Sequence, residues 1–132
     1  MPNILSPYDK FLTKGFIFTQ SFVDYISSEN LTDIEPWWFF CKSERAGICI
    51  ETWCILMKEM YPTRNLVPFA NWRYSDDIVC FDGLDKSGDP KVFFVHAFAS
   101  LGWEDRGSVK NFEAWLKVAK EESAQYKADR VE

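Results

Sequence analysis

The sequence predicts one α+β domain, residues 1–132, in which helices pack on a central, mostly antiparallel sheet. Three observations carry this prediction. The length of 132 residues fits one domain that buries roughly two-thirds of its unfolded surface. Apolar residues recur at helical spacing in segments 43–60 and 112–126. Short apolar runs separated by turn residues lie between these segments, so consecutive strands are expected to pair antiparallel.

The beginning of the chain predicts an arm, a helix and an extended aromatic segment. Residues 1–15 are expected to form an irregular arm. Thr19 is a candidate N-cap for a helix that runs to about Ser27. Residues 36–40, Pro-Trp-Trp-Phe-Phe, predict a strand or an extended segment. Such bulky side chains favour a place in the core, with an aromatic clamp for a ligand as the alternative.

A second helix is predicted over residues 43–60. Its apolar face recurs at spacings of three and four residues. The residues of this face are Ala46, Ile50, Trp53, Met57 and Met60. Pro62 ends the helix, because the residue before a proline is disfavoured in helical geometry.

The second half predicts strands and then a third helix. Pro68 confines the 66–72 segment to an edge or irregular strand. Segments 78–81 and 92–98 read as an antiparallel hairpin joined by a turn-rich connection. Residues 100–109 are expected to be a loop, after which Asn111 caps the last helix. The apolar face of that helix is Phe112, Trp115, Leu116, Ala119, Ser123 and Tyr126.

The charge of the chain is negative and concentrated. The formal net charge is -5, which argues against nucleic acid or an anionic membrane as a partner, because both attract clusters of Lys and Arg. Residues 76–90 contain a single lysine and five aspartates, namely Asp76, Asp77, Asp82, Asp85 and Asp89. This stretch is either a solvated hairpin or a surface complementary to a basic partner.

Cysteine spacing and the chain ends point to a reduced, cytoplasmic protein. The four cysteines at 41, 49, 54 and 80 show no C-x-x-C spacing and accompany a single histidine, so we expect no metal and no cofactor. The N-terminal segment lacks the pattern of a signal peptide, and no apolar run has the length of a membrane span. The thiols are therefore expected to be free and to fill the core.

Catalytic chemistry finds no support in the sequence, and we expect a binding protein rather than an enzyme. His96 lies on a predicted strand, where a histidine is usually a hydrogen-bonded structural residue. Asp77 and Asp82 are separated by an odd number of positions and project to opposite faces of a regular strand, which makes them a poor acid–base pair. A hydrolytic or small-molecule site built from His96 and a carboxylate is the alternative to a protein-binding role.

The loop at residues 102–107, Gly-Trp-Glu-Asp-Arg-Gly, is the most distinctive one in the chain. Trp103 and Arg106 are residue types that dominate binding hot spots, and Glu104 lies between them. The alternative is that Trp103 plugs the space under the loop while Arg106 pairs with a nearby carboxylate. The candidate partner-binding set is therefore Asp76, Asp77, Asp82, Asp85, Asp89, Trp103, Glu104 and Arg106.

Residues 61–120 resemble the SUKH superfamily of Smi/Knr-like proteins. In chain order the motifs are Tyr61-Pro62-x-Arg64-x-Leu66-x-Pro68-Phe69-Ala70, Asp76-Asp77-Ile78-x-Cys80-Phe81-Asp82, Val95-His96-x-Phe98-Ala99-Ser100-x-Gly102-Trp103-Glu104-x-Arg106-Gly107 and Phe112-x-x-Trp115-Leu116. The resemblance implies an α+β fold with a mostly antiparallel sheet and no catalytic residues. It also implies that Pro68, Phe69 and Ala70 are sheet-entry and packing positions and that Asp76-Asp77 forms the turn at the start of a strand.

The resemblance also sets the functional expectation. Most bacterial members look like immunity proteins that neutralise cognate polymorphic or contact-dependent toxins, often nucleases. The expected partner is therefore a toxin protein, most simply a basic one. Other members resemble cytoplasmic regulators or scaffolds, so a module that binds a resident cellular protein is the second hypothesis.

Overall fold

Five antiparallel strands form a single sheet in which sequence neighbours are also spatial neighbours. The computed structural model describes residues 3–29 and 31–130. Its strands are β1 (Trp37–Phe39), β2 (Leu66–Trp72), β3 (Asp77–Asp82), β4 (Val92–His96) and β5 (Asp105–Val109), in the order β1-β2-β3-β4-β5. All four pairings are antiparallel, so the predicted α+β class is confirmed.

Three α-helices accompany the sheet, and all three were predicted. They are α1 (Gln20–Ser27), α2 (Ala46–Met60) and α3 (Phe112–Asp129). The helix α2 stops two residues before Pro62, as expected. The carboxamide oxygen of Asn111 accepts a hydrogen bond from the Ala114 backbone N–H at 3.0 Å, which confirms the predicted cap of α3.

The N-terminal arm is more ordered than predicted. Residues Ser6–Phe11 form a 3-10 helix with a proline in its first turn, a position where the fixed φ of proline is already helical. The ring of Tyr8 is fully buried, and its hydroxyl donates to the carbonyl of Pro68 at 2.6 Å. A second 3-10 helix, Phe40–Lys42, follows β1. We predicted an irregular arm and missed this 3-10 helix, because the hydrogen bond that anchors Tyr8 joins it to a residue 60 positions away.

One strand prediction is confirmed in its second alternative and another is corrected. Strand β2 is irregular and does not lie at an edge, because it pairs with both β1 and β3 and a bulge between Pro68 and Ala70 accommodates the proline. Residues 105–109, which we predicted to be loop, form the edge strand β5. This strand is almost wholly exposed and carries no apolar alternation, so its pairing with β4 left no mark in the sequence.

Helices cover both faces of the sheet. Phe81 in β3 points to the face where α1 and α3 pack, and its ring centroid lies 5.1 Å from that of Phe22 and 6.4 Å from that of Phe112. The side chain of Cys80, the preceding residue, points to the opposite face, which α2 covers. Strands β2 and β3 are thus buried on both faces, whereas the edge strand β5 is exposed.

Buried residues include most of the aromatic segment and the thiols. Trp37, Phe39 and Phe40 are buried, in agreement with a core role for the 36–40 segment. All four cysteines are free, three of them buried and Cys49 half-buried. Among residues 3–29 and 31–130, no helix is both long enough and apolar enough to cross a membrane.

Candidate functional site

The sheet divides the candidate partner-binding set between its two ends. Asp82, Asp85 and Asp89 lie in or beside the connection from β3 to β4. Asp76, Asp77 and the segment 103–106 lie at the other end, where β2 leads to β3 and β4 leads to β5. Strand β3 keeps an unbroken register with β4, so Asp77 and Asp82 are about 17 Å apart and face opposite sides. The five aspartates therefore do not form one continuous patch.

Asp82 and Asp85 stabilise the connection from β3 to β4 through hydrogen bonds to its backbone. Asp82 accepts a hydrogen bond from the Leu84 N–H at 3.0 Å. Asp85 accepts one from the Ser87 N–H at 3.0 Å and one from the Lys91 N–H at 3.3 Å. Hydrogen bonds from Ser87 are the main cause that lowers the pKa of the Asp85 carboxyl. These contacts show a structural role for carboxylates that the sequence offered as partner contacts.

Asp89 connects the same loop to the start of two helices. Its carboxylate accepts a hydrogen bond from Asn111, the N-cap of α3, at 3.0 Å. Thr19, the N-cap of α1, donates to it at 3.4 Å. A negative charge is favourable beside helix N-termini, so Asp89 helps to dock both helices on the sheet.

The Asp89→Ala variant is therefore expected to lose about 1 kcal/mol of stability, the usual cost of a capping contact. The free energy of unfolding in urea measures this loss. Asp76→Ala is the control, because the Asp76 side chain is exposed and takes part in no hydrogen bond or ion pair within the described chain. Equal stability of the two variants would contradict the structural role of Asp89.

The loop 97–104 between β4 and β5 presents three large apolar side chains to solvent. Phe98 is 58% exposed, Leu101 74% and Trp103 72%. The interpretation of Trp103 as a plug under the loop is therefore wrong. The ring of Trp53 on α2 lies 6.4 Å from that of Phe98 and extends the surface toward the helix. We call Trp53, Phe98, Leu101 and Trp103 the apolar loop patch.

A buried ion pair fixes the backbone of this loop. A guanidinium nitrogen of Arg64 lies 2.8 Å from a carboxylate oxygen of Glu104, and Glu104 is only 5% exposed. The other carboxylate oxygen accepts the Gly102 N–H at 2.7 Å. The hydroxyl of Tyr61 donates to the Ala99 carbonyl at 2.9 Å. Glu104 is thus buried beneath the loop and supports it from below.

The environment of Glu104 keeps its carboxyl ionised. Burial by itself would raise the pKa. The N–H groups of Glu104 and Gly102 and the Arg64 guanidinium outweigh this effect, so the pKa lies below its ordinary 4.5. The loop is therefore held most firmly when Glu104 carries its charge.

Two exposed aromatic residues at this end of the sheet have left-handed backbone geometry. Phe98 has a φ of 66° and Tyr74, in the turn between β2 and β3, has a φ of 62°. Tyr74 is 99% exposed. Bulky residues rarely adopt this conformation, and such strain concentrates at functional sites. Both turns lie at the end of the sheet that carries the apolar loop patch.

Replacing Tyr74 by glycine is expected to raise the free energy of unfolding by up to about 1 kcal/mol, because glycine adopts a positive φ without penalty. A fully exposed ring contributes little packing that would offset this gain. Thermal or urea unfolding measures the change. Asp76→Gly in the same turn is the control, since Asp76 does not have a positive φ. A loss of stability in Tyr74→Gly equal to that in the control would contradict the strain.

His96 and Asp77 form a hydrogen-bonded pair on one face of the sheet. The imidazole Nδ1 lies 2.8 Å from a carboxylate oxygen of Asp77. This geometry orients an imidazole, as the hydrolytic alternative requires. Among the described residues, however, no serine hydroxyl or cysteine thiol hydrogen-bonds to the ring. The pair therefore does not amount to a nucleophile and base in this structure.

Arg106 borders a groove of about 320 Å³ between the sheet and α3. Its Nε donates to the carbonyl of Trp103 at 3.1 Å. In the part of the chain that the structure describes, it lies within 4.0 Å of no carboxylate, contrary to the pairing in the plug interpretation. The groove is lined by Trp37, Trp72, Asp77, Ile78, Phe94, Val95, Arg106 and Glu122.

A larger, more open groove of about 610 Å³ runs beside the edge strand β1. Its charged side chains are already engaged. Asp33 pairs with Lys127 at 3.1 Å, and Lys42 donates to the Ile26 carbonyl at 3.0 Å. In the groove beside α3, by contrast, Asp77 and Glu122 each have only one carboxylate oxygen engaged in a hydrogen bond within the described chain.

Sequence reasoning found Trp103 but missed the other members of the apolar loop patch. Phe98 was assigned to a strand. Trp53 was assigned to the apolar face of a helix, and it is half-buried there and stacks on Phe40, but its contact with Phe98 was not predicted. Leu101 carried a usable signal, since it is a large apolar residue between Ser100 and Gly102.

Comparisons with protein-family models, with curated proteins and with solved structures find no match to this chain.

Proposed function

We propose that this chain is a protein-binding domain that neutralises a cognate polymorphic or contact-dependent toxin in the cytoplasm. The observation that supports it best is the apolar loop patch, in which three large apolar side chains stand exposed on a fixed backbone. Exposed apolar clusters of this kind mark interaction sites, and tryptophan is the residue most enriched in binding hot spots.

The fixed loop favours binding because little order has to be gained on association. Glu104 and Tyr61 hold the backbone on both sides of Leu101 before any partner arrives. A preorganised surface loses less conformational entropy when it binds, so more of the contact energy appears as affinity.

Charge and resemblance support a toxin as the partner. Asp76 and Asp105 are exposed near the patch, and the whole chain carries a net charge of -5. Acidic groups around an apolar anchor raise the association rate with a basic protein such as a nuclease. The resemblance of residues 61–120 to SUKH immunity proteins points to the same role.

Co-expression tests the proposal. The gene immediately upstream is placed under an inducible promoter, and growth is measured with and without this chain. We expect the upstream product to be toxic, growth to be rescued by this chain, and the two purified proteins to bind. A neighbour that is harmless or does not bind would contradict the toxin role. Capture of a resident cytoplasmic protein that depends on Trp103 would instead support the regulatory or scaffold alternative.

A further inference from the structure

The groove between the sheet and α3 combines aromatic walls with two partly used carboxylates. Trp37 and Trp72 meet edge to face with their ring centroids 5.4 Å apart, and Phe94 lines the same space. Asp77 and Glu122 enter it from β3 and α3. Its volume of about 320 Å³ suits a single side chain or a small ligand.

Each carboxylate keeps one oxygen that the described residues do not engage. One oxygen of Asp77 contacts the His96 imidazole at 2.8 Å. One oxygen of Glu122 accepts the indole N–H of Trp37 at 3.1 Å. The second oxygen of each group makes no hydrogen bond within the described chain. Partial burial and the charge of Asp77 raise the pKa of the Glu122 carboxyl, although the Trp37 hydrogen bond acts against this.

Arg106 does not neutralise this pair of carboxylates by contact. Its Nε is bound to the Trp103 carbonyl, and no ion pair joins it to Asp77 or Glu122 among the described residues. The groove lining therefore contains two carboxylates and one guanidinium. Carboxylates beside aromatic rings form a favourable environment for an organic cation, through charge and through cation–π attraction.

We propose that the groove receives a lysine or arginine side chain of the docked partner. This inference rests on the proposed function for the identity of the partner, but the cation preference is a property of the groove itself. Arg106 links the groove to the apolar loop patch through Trp103, so one partner surface spans both. The apolar patch then anchors the complex, and the groove selects for a basic residue beside the anchor.

The groove is tested on the purified full chain without any partner. The probes are N-acetyl-arginine amide and N-acetyl-lysine amide, with N-acetyl-aspartate amide as the anionic control. Each of the six tryptophans contributes one indole N–H signal to a nitrogen-15 correlation spectrum. We expect saturable shifts of Trp37 and Trp72 with the two cations and none with the anion. The indole of fully buried Trp115 reports that the fold is intact.

Two isosteric variants give the decisive comparison. Asp77→Asn and Glu122→Gln are each expected to weaken cation binding about tenfold, because each removes one charge-assisted contact. Glu121→Gln, which changes the neighbouring exposed carboxylate of α3 outside the groove lining, is expected to bind as the wild type does. Absence of shifts, equal shifts with the anion, or equal weakening in Glu121→Gln would overturn the proposal.

The outcomes separate this inference from the toxin role. Cation binding in the groove without rescue in co-expression would support the groove as a cation site and contradict the toxin-neutralising role. A variant carrying both Asp77→Asn and Glu122→Gln gives the opposite test. If its rescue of growth and its affinity for the toxin are unchanged, the toxin-neutralising role stands and the groove does not receive a side chain of the toxin.

Discussion

Replacing Glu104 by alanine is expected to lower the free energy of unfolding by about 3 kcal/mol, the lower range for breaking a buried ion pair. The variant leaves the Arg64 guanidinium, whose side chain is 19% exposed, without its partner. It also removes the acceptor of the Gly102 N–H. Urea unfolding at neutral pH measures the loss.

The control for this variant is Glu59→Ala, which removes an exposed carboxylate of α2 that makes no hydrogen bond or ion pair within the described chain. Its stability is expected to stay within about 0.5 kcal/mol of the wild type. Glu104→Gln, which keeps an oxygen acceptor, is expected to fall between the two. Identical stabilities for Glu104→Ala and Glu59→Ala would show that the loop does not depend on the ion pair.

The effect of Glu104 is also expected to depend on pH. The pKa of this carboxyl is lower in the folded chain than its ordinary 4.5, so its charge stabilises the fold above the unfolded-state pKa. That contribution disappears as the pH falls through the folded-state pKa. The stability gap between wild type and Glu104→Gln is therefore expected to narrow below about pH 4.5. A gap that is constant from pH 7 to the acid limit would contradict the charge contribution.

Truncating Trp103 to alanine is expected to weaken partner binding by at least about 2 kcal/mol, or roughly thirtyfold, as for a hot-spot tryptophan. The ring is 72% exposed in the free chain, so its loss is expected to change stability by no more than about 0.5 kcal/mol. Calorimetric titration with the partner and thermal unfolding give the two readouts.

A matched pair of leucines shows whether the effect belongs to the patch. Leu101 is 74% exposed in the loop between β4 and β5, and Leu84 is 54% exposed at the opposite end of the sheet. Leu101→Ala is expected to weaken binding, whereas Leu84→Ala is expected to leave it unchanged. Loss of binding in Leu84→Ala alone would indicate that the interface lies at the end of the sheet where β3 connects to β4.

Most of the fold could be predicted because its signals are local. Helix α3 has a cap at Asn111 and a periodic apolar face, and both are visible in consecutive residues. The hairpin of β3 and β4 is marked by two apolar runs around a turn-rich connection. In contrast, β5 forms because its backbone pairs with β4, and its exposed side chains carry no pattern that records this.

The candidate site was predicted only in part, because its carboxylates look alike in sequence. Asp89, Glu104 and Asp77 all appeared as acidic residues near turns. Their partners decide their roles, and those partners are 22 to 70 residues away for Asp89, 40 for Glu104 and 19 for Asp77. Charge density alone therefore left a solvated hairpin and a single acidic surface as alternatives, and the chain does not build the second.

The sequence by itself determined the class of the domain, its three helices and the position of Trp103 in an unusual loop. These follow from spacing, capping and turn chemistry among near neighbours. Only the tertiary structure decided that Trp103 faces solvent, that Glu104 is buried beneath it, and that the aspartates are divided between two ends of the sheet. The reason is that exposure and pairing depend on strand register and on distant partners.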